Sequence, residues 1–212
     1  MFVVGLTGGI GSGKTEVSNI FKKISNVYLI DLDEISKKIT QKNKPGFKKI
    51  IENYGNYYLN LAKELDRKSL QEDMFNSQKI KKNIESILHP IIHQYCIDEM
   101  KVITKQKKYY YAVIVVPLLF ESKSYQELIS ESLLIDCDEN VQLTRVKKRD
   151  NISTELIKKI ISSQKSREEK QRKADKIIVN NSDKISKLKS DVINYHENLI
   201  NKKLVNKKND YI

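Results

Sequence analysis

No apolar run in the 212-residue sequence approaches the roughly 18 residues that a membrane-spanning helix requires, so no membrane partner is expected. The amino terminus lacks a basic leader. Its apolar residues, Phe2-Val3-Val4-Gly5-Leu6, lead straight into a glycine-rich stretch, which argues against a cleaved secretory signal. A cytoplasmic location is therefore the expectation. Cysteine is scarce: Cys96 and Cys137 lie far apart and form no C-x-x-C pair. Neither a disulfide framework nor a cysteine metal site follows, and two buried, reduced thiols are expected. Internal repeats and low-complexity linkers are absent, so insertions in one core are expected rather than a string of domains. An N-K-x-D segment for guanine recognition is also missing, which argues against a GTPase switch.

Hydrophobic residues make up 39% of the chain and charged residues 31%, a balance that suits a globular protein with a sizeable core. Lysine and arginine number 39 against 27 aspartates and glutamates, a net charge of +12. That charge is spread along a chain rich in lysine, isoleucine and asparagine rather than gathered into one patch. Nucleic acid is therefore not expected as the main partner, and a basic chain equally suits a small phosphorylated substrate.

The organising stretch is Gly8-Gly9-Ile10-Gly11-Ser12-Gly13-Lys14-Thr15, which reads G-x-x-x-x-G-K-[ST], a phosphate-binding P-loop. Its glycines let the backbone approach a polyphosphate closely, and successive N–H groups can line one concavity. A helix starting near Lys14 adds the positive end of its dipole. Lys14 can reach the β- and γ-phosphates, and the Thr15 hydroxyl is placed to ligate Mg²⁺. The context fits the motif. An apolar strand precedes it, and Val17, Ile20, Phe21 and Ile24 follow at the spacing of a helix face. A nucleoside triphosphate ligand follows from strand, loop and helix together.

Residues 26–30 read as a second strand with Asp31-Leu32-Asp33 at its carboxyl end, the edge where open α/β sheets bind ligands. One carboxylate there can hold a metal or accept a proton, and one can cap the helix expected over 34–39. Helices are expected over 47–54, with Gly55 as cap, over 67–75, with Asp66 as cap, and over 80–105, broken or kinked at His89-Pro90. A third strand over 109–116 stops at Pro117, and Glu121 follows closely. No aspartate closes that strand, so the second Mg²⁺ contact of many P-loop proteins has no obvious source. A fourth strand over 133–137 leads into a helix over 139–149 that carries Arg145 and Arg149 four residues apart. Residues 150–175 are polar and hold Arg167, Lys170, Arg172 and Lys173, either a solvated face or a lid over transferring phosphates. A short strand over 176–179 precedes Asn180-Asn181. Ile185, Leu188, Val192, Tyr195 and Leu199 form the core stripe of a closing helix, and the tail from Lys202 is expected to fray. His93 and His196 read as surface residues.

Several stretches in this order resemble the dephospho-coenzyme A kinase family. They are residues 5–15, Ile30-Asp31-Leu32-Asp33, His89-Pro90, and Val116-Pro117-Leu118-Leu119-Phe120-Glu121. Gln142, Arg145, Arg149-Asp150, Gln164, Lys170, Ala174-Asp175 and residues 178–181 complete the set. The resemblance implies an α/β fold: a P-loop NTPase core with a five-stranded parallel sheet flanked by helices. The core would comprise 1–35, 106–148 and 176–205, with a helical coenzyme-binding insertion at 36–105 and a lid at 149–175. It further implies ATP and Mg²⁺ as cofactors and dephospho-coenzyme A as the partner, phosphorylated on its ribose 3′-hydroxyl. Gly9, Gly11, Ser12, Gly13, Lys14, Thr15 and Glu16 would hold the triphosphate, with Thr15 on the metal. Asp33, Lys14, Arg145 and Arg149 would be catalytic, and Asp33, His89 and Glu121 would face the acceptor or metal. Two departures stand out: Glu16 replaces a small hydroxyl residue, and Val113, Val115 and Val116 occupy a strand that often carries aspartate. The motifs by themselves also admit another small-molecule P-loop kinase, or a nucleotide-dependent switch or nucleic-acid ATPase. Oligomeric state is open.

Overall fold

A computed structural model describes residues 1–209. The chain forms two compact units, one comprising Met1–Leu29 with everything from Gln106 onward, the other Ile30–Lys105.

In the first unit, β1 (Val3–Gly8) leads through the glycine loop into α1 (Lys14–Phe21), and β2 (Val27–Asp31) follows. The second unit carries α2 (Leu32–Ile39), α3 (Pro45–Tyr54), α4 (Arg67–Asn76) and α5 (Gln78–Gln106). The chain then returns as β3 (Tyr111–Val115), a 3₁₀ turn at Leu119–Glu121, α6 (Lys123–Gln126) and β4 (Glu131–Asp136). It finishes with α7 (Glu139–Asp150), α8 (Thr154–Ser162), α9 (Arg167–Lys173), β5 (Lys176–Val179) and α10 (Ile185–Asn209).

The strands form one five-stranded sheet in the order β2-β3-β1-β4-β5. β1 is central and runs parallel to β3, with Val4 opposite Val113, and to β4, with Leu6 opposite Leu133. A parallel sheet is covered on both faces, which explains the unbroken apolar runs of β1 and β3, buried at every position. Alternate residues Val4, Leu6, Val113, Val115, Leu133, Ile135 and Ile178 turn to one face and pack with Val17 and Phe21 of α1 and Leu188, Val192 and Leu199 of α10. Sheet and helices together therefore hold the carboxyl ends of β1, β4 and β5 fixed, and the glycine loop sits at that edge.

Several expectations change. α2 starts at Leu32, two residues early, because Asp31 caps it by accepting from Asp33 N and Glu34 N. β3 is shorter than expected, covering Tyr111–Val115 rather than 109–116. α1 ends at Phe21, so Ile24 reaches the core from the following turn. α5 is helical throughout, with no break at Pro90. Ile84, Leu88, Ile92 and Cys96, four residues apart and buried, anchor both halves, while Pro90 is exposed and loses one hydrogen bond on the solvent side. Ile185 is 56% exposed and stands outside the core stripe it was assigned to. His93 and His196 are half-buried rather than superficial, and His196 Nδ1 lies 2.8 Å from the buried Tyr111 hydroxyl. Helix α10 continues to Asn209, into the tail expected to fray; Asp210, Tyr211 and Ile212 lie outside the described residues. Both cysteines are buried free thiols, and burial pushes them up to about 12 for Cys96 and about 11 for Cys137.

Candidate active site

The glycine loop is built from its carbonyls outward. Lys14 Nζ donates to Gly8 O (2.6 Å) and Gly9 O (3.2 Å), and Ser12 N also reaches Gly9 O at 3.2 Å. Gln142 Nε2 of α7 donates to Ile10 O, and Asn180 Nδ2, just past β5, donates to Ser12 O, both at 2.8 Å. Within a trans peptide the C=O and the following N–H point in opposite directions. Carbonyls drawn toward these donors therefore turn the N–H groups of Ile10, Gly11 and Gly13 away from them, free to meet a ligand. Gly13 is the N-cap of α1 at φ +99°, so the helix dipole opens onto the same place. A Cβ on Gly9 would strike the Gln142 amide, so glycine there leaves room for Gln142 to close on the loop, and it would stand in ordinary contact, 3.5 Å, with Lys170 Nζ. Ser12 Oγ is buried and finds no hydrogen-bond partner among the described residues, an orphan of the kind that a bound ligand satisfies. The cradle thus fits a polyphosphate.

Thr15 lies exposed in the first turn of α1. Among the described residues no group of three or more His, Cys, Asp or Glu could hold a metal ion. The Thr15 hydroxyl is a single hard oxygen donor beside the phosphate cradle, of the kind that serves Mg²⁺, which takes one or two protein ligands besides phosphate oxygens and water.

Arg145 and Arg149, expected to act together, face different ways. Arg145 donates to Asn180 O (2.8 Å) and Ser182 O (2.9 Å) and pairs with Asp183 at 3.3 Å, so it shapes the loop after β5. Arg149 forks onto Asp150 with two bonds of 2.7 Å. That bond raises the Arg149 guanidinium and lowers the Asp150 carboxyl from their ordinary values. Arg145 walls a cavity of about 180 Å³ with Gly13, Glu16, Asn180, Ser182, Asp183, Ile185 and Leu188. Glu16 thus stands at the cavity as well as in the first turn of α1.

Glu121 is exposed in the 3₁₀ turn and accepts from Lys165 N at 2.9 Å. Arg167, read from sequence as a candidate for closing over phosphates, instead forks onto Asp136 at the end of β4, with bonds of 2.8–3.0 Å, and reaches Asp138 at 2.6 Å. Asp33 and His89 belong to the second unit, on α2 and α5, and both are exposed. The structure thus gathers Gly9 to Thr15 with Gln142, Lys170 and Asn180. Gln142 and Asn180 appeared in the sequence only as members of a motif series without roles, and Lys170 also as one cation of a polar stretch read as a solvated face or a lid. Their signal is faint because each contacts the loop across more than a hundred residues of chain.

A central parallel strand, a G-x-x-x-x-G-K-[ST] loop wrapped over a helix start, and side chains closing from neighbouring strand ends define a P-loop phosphotransferase. The model of the dephospho-CoA kinase family matches residues 2–186. The chain belongs to that family. A dephospho-CoA kinase of Acinetobacter baylyi is 37% identical over 201 residues, 95% of this chain and 100% of that protein. The solved dephospho-CoA kinase from Campylobacter jejuni is similar at 29% identity and a TM-score of 0.67, covering 93% of this chain and 96% of that one. TT1252 from Thermus thermophilus shares the fold, with a TM-score of 0.73 at 22% identity over 95% of this chain and 97% of that one.

Proposed function

We propose that this chain transfers the γ-phosphoryl group of ATP to the ribose 3′-hydroxyl of dephospho-coenzyme A, giving coenzyme A and ADP, the last step of coenzyme A synthesis. The observation that carries the reading is the closed glycine loop in a chain whose residues 2–186 match one kinase family.

The amides of Ile10, Gly11 and Gly13 and the α1 dipole bind the phosphates, while the Lys14 ammonium stabilises charge on the β–γ side. The cavity walled by Arg145 and Ile185 takes the adenine base, its apolar wall against the ring and its polar rim against the edge. Asp33 accepts the proton of the 3′-hydroxyl as that oxygen bonds to the γ-phosphorus and the bond to the β-phosphate oxygen breaks. His89 and Glu121 serve the acceptor side. Thr15 would hold Mg²⁺ through its hydroxyl, and the ion would supply charge neutralisation when bound. Arg149 belongs to a lid at 149–175 that excludes water from the γ-phosphate. The reaction is assigned to the cytoplasm, with small molecules rather than a polynucleotide as partners.

Coupled ADP release tests this, comparing dephospho-coenzyme A with adenosine, AMP and no acceptor. Turnover confined to dephospho-coenzyme A is expected. Turnover with another acceptor, or with none, refutes the assignment. Asp33→Asn is expected to lower kcat far more than it weakens ATP binding, and equal losses would remove Asp33 as the base.

A further inference from the structure

Asp136 is 5% exposed, a buried carboxylate at the carboxyl end of β4. Among the described residues, the hydrogen bonds to its side chain come from one short helix, α9. Arg167 forks onto it through Nε and Nη2, and Gln171 Nε2 adds a bond of 2.8 Å to Oδ2. Arg167 and Gln171 are four residues apart, so both face the same way from α9. A capping box at Ser166 and Glu169 fixes where that helix starts, and the Lys165 amide is held by Glu121. Burying a carboxylate is costly unless its lone pairs are filled, and here α9 supplies the donors that fill them. The arrangement therefore clips α9 to the strand end beside the glycine loop.

Between the two clip residues lies Lys170. Its ammonium stands 3.5 Å from the space a Gly9 Cβ would take and 3.4 Å from Gln164 Oε1. Gly9 is also where Lys14 Nζ rests, on the Gly8 and Gly9 carbonyls, which marks the β–γ end of the cradle. Two ammonium groups thus converge on one end of the loop. Burial holds Lys170 below the ordinary lysine value, while Glu121 and Asp136 pull it back up. A partly desolvated cation facing a phosphate cradle gains most from an anion placed between them.

We propose that Lys170 is a second cation that contacts the terminal phosphate of the bound triphosphate, and that Asp136, Arg167 and Gln171 are positioning residues that hold it there. The inference rests on the phosphoryl-transfer reading above, and it assigns to α9 a fixed seat on β4. Lys170 acts on substrate directly. The clip acts only through Lys170.

Calorimetric titration with ATP and with ADP, each with Mg²⁺, tests the proposal on Lys170→Ala, Lys170→Arg, Gln171→Ala and the Lys170→Ala/Gln171→Ala pair. Gln171→Ala leaves the Arg167–Asp136 ion pair intact, so the fold is kept. Lys170→Ala is expected to weaken ATP about 10- to 100-fold, the range for a hydrogen bond to a charged group, while ADP changes less than about 3-fold. Its kcat for phosphoryl transfer should fall about 100-fold, the range for loss of one charge-stabilising donor. Lys170→Arg should restore most of the ATP preference. Gln171→Ala should show a smaller loss with the same preference for ATP over ADP, and the double variant should be no worse than Lys170→Ala alone. An unchanged ratio of ATP to ADP affinity in Lys170→Ala overturns the contact. Full additivity in the double variant overturns the clip. A wild-type chain that binds ATP but does not phosphorylate dephospho-coenzyme A refutes the acceptor assignment and leaves the ATP-to-ADP comparison intact. A chain that binds neither nucleotide refutes both.

Discussion

Replacing Gly13 by alanine tests whether the loop is held by its neighbours or merely by its own glycines. Gly13 sits at φ +99°, ψ 19°, where an L-residue with a Cβ is disfavoured by about 1–2 kcal/mol. A Cβ there would also strike Asn180 Nδ2. Asn180 cannot retreat as a whole, because its N–H bonds Asp136 O at 2.7 Å and its carbonyl accepts from Arg145 at 2.8 Å. Its side chain must rotate and abandon Ser12 O, leaving a buried carbonyl without its donor at a cost of about 1–3 kcal/mol. The sum is about 2–5 kcal/mol, or a fall in Tm of roughly 4–20 °C for a chain of this size. Thermal unfolding of Gly13→Ala, Asn180→Ala and the pair measures it. The hydrogen bond can be lost only once, so the pair should be less destabilised than the sum of the singles by about 1–3 kcal/mol. Strict additivity would refute the clash and leave backbone strain alone.

Pro90→Ala should stabilise the protein by up to about 3 kcal/mol, since proline lies inside a continuous helix at an exposed position, and a lower Tm would contradict that placement. Arg145→Ala removes the donor to two carbonyls and one wall of the cavity beside Gly13. ATP affinity should fall about 10- to 100-fold while affinity for inorganic tripolyphosphate barely changes, and equal loss of both would detach the cavity from base binding. Burial lowers the His196 imidazole below its ordinary value. Between the unfolded value, about 6.5, and the lower folded value the unfolded chain holds the extra proton, so stability is full above about pH 6.5 and falls as pH drops through that window. His196→Gln should flatten that slope in urea titrations from pH 7.5 to 5, and an unchanged slope would clear His196 of the effect.

What was legible in the sequence is what depends on neighbours along the chain. The continuous apolar runs of β1 and β3 announce a buried parallel sheet. Asp66 before α4 and Gly55 after α3 declare themselves by residue type alone. Proline at position 90 misled, because propensity is local and the stripe Ile84, Leu88, Ile92, Cys96 that overrides it is a tertiary fact. Arg167 misled differently. A cation in a polar stretch reads as solvated or ligand-facing, and nothing nearby reveals a buried carboxylate 31 residues earlier.

The glycine loop shows where the division falls. Its pattern names the residues that must lack a Cβ, but not the groups that crowd them. Gly9 is crowded by Gln142 and Lys170, Gly13 by Asn180, and Gly11 by Val146 at 2.9 Å from the position of a Cβ. These contacts come from three elements: α7, α9 and the turn after β5. These elements reach the loop because β4 and β5 lie beside β1 in the sheet order. The loop is therefore braced from the β4–β5 side, by segments that follow it by more than 120 residues. A cradle assembled in this way forms only once the sheet has closed. Its competence to bind phosphate is a property of the folded first unit, not of the eight-residue motif, and the Gly13–Asn180 coupling is the quantity through which that dependence is read.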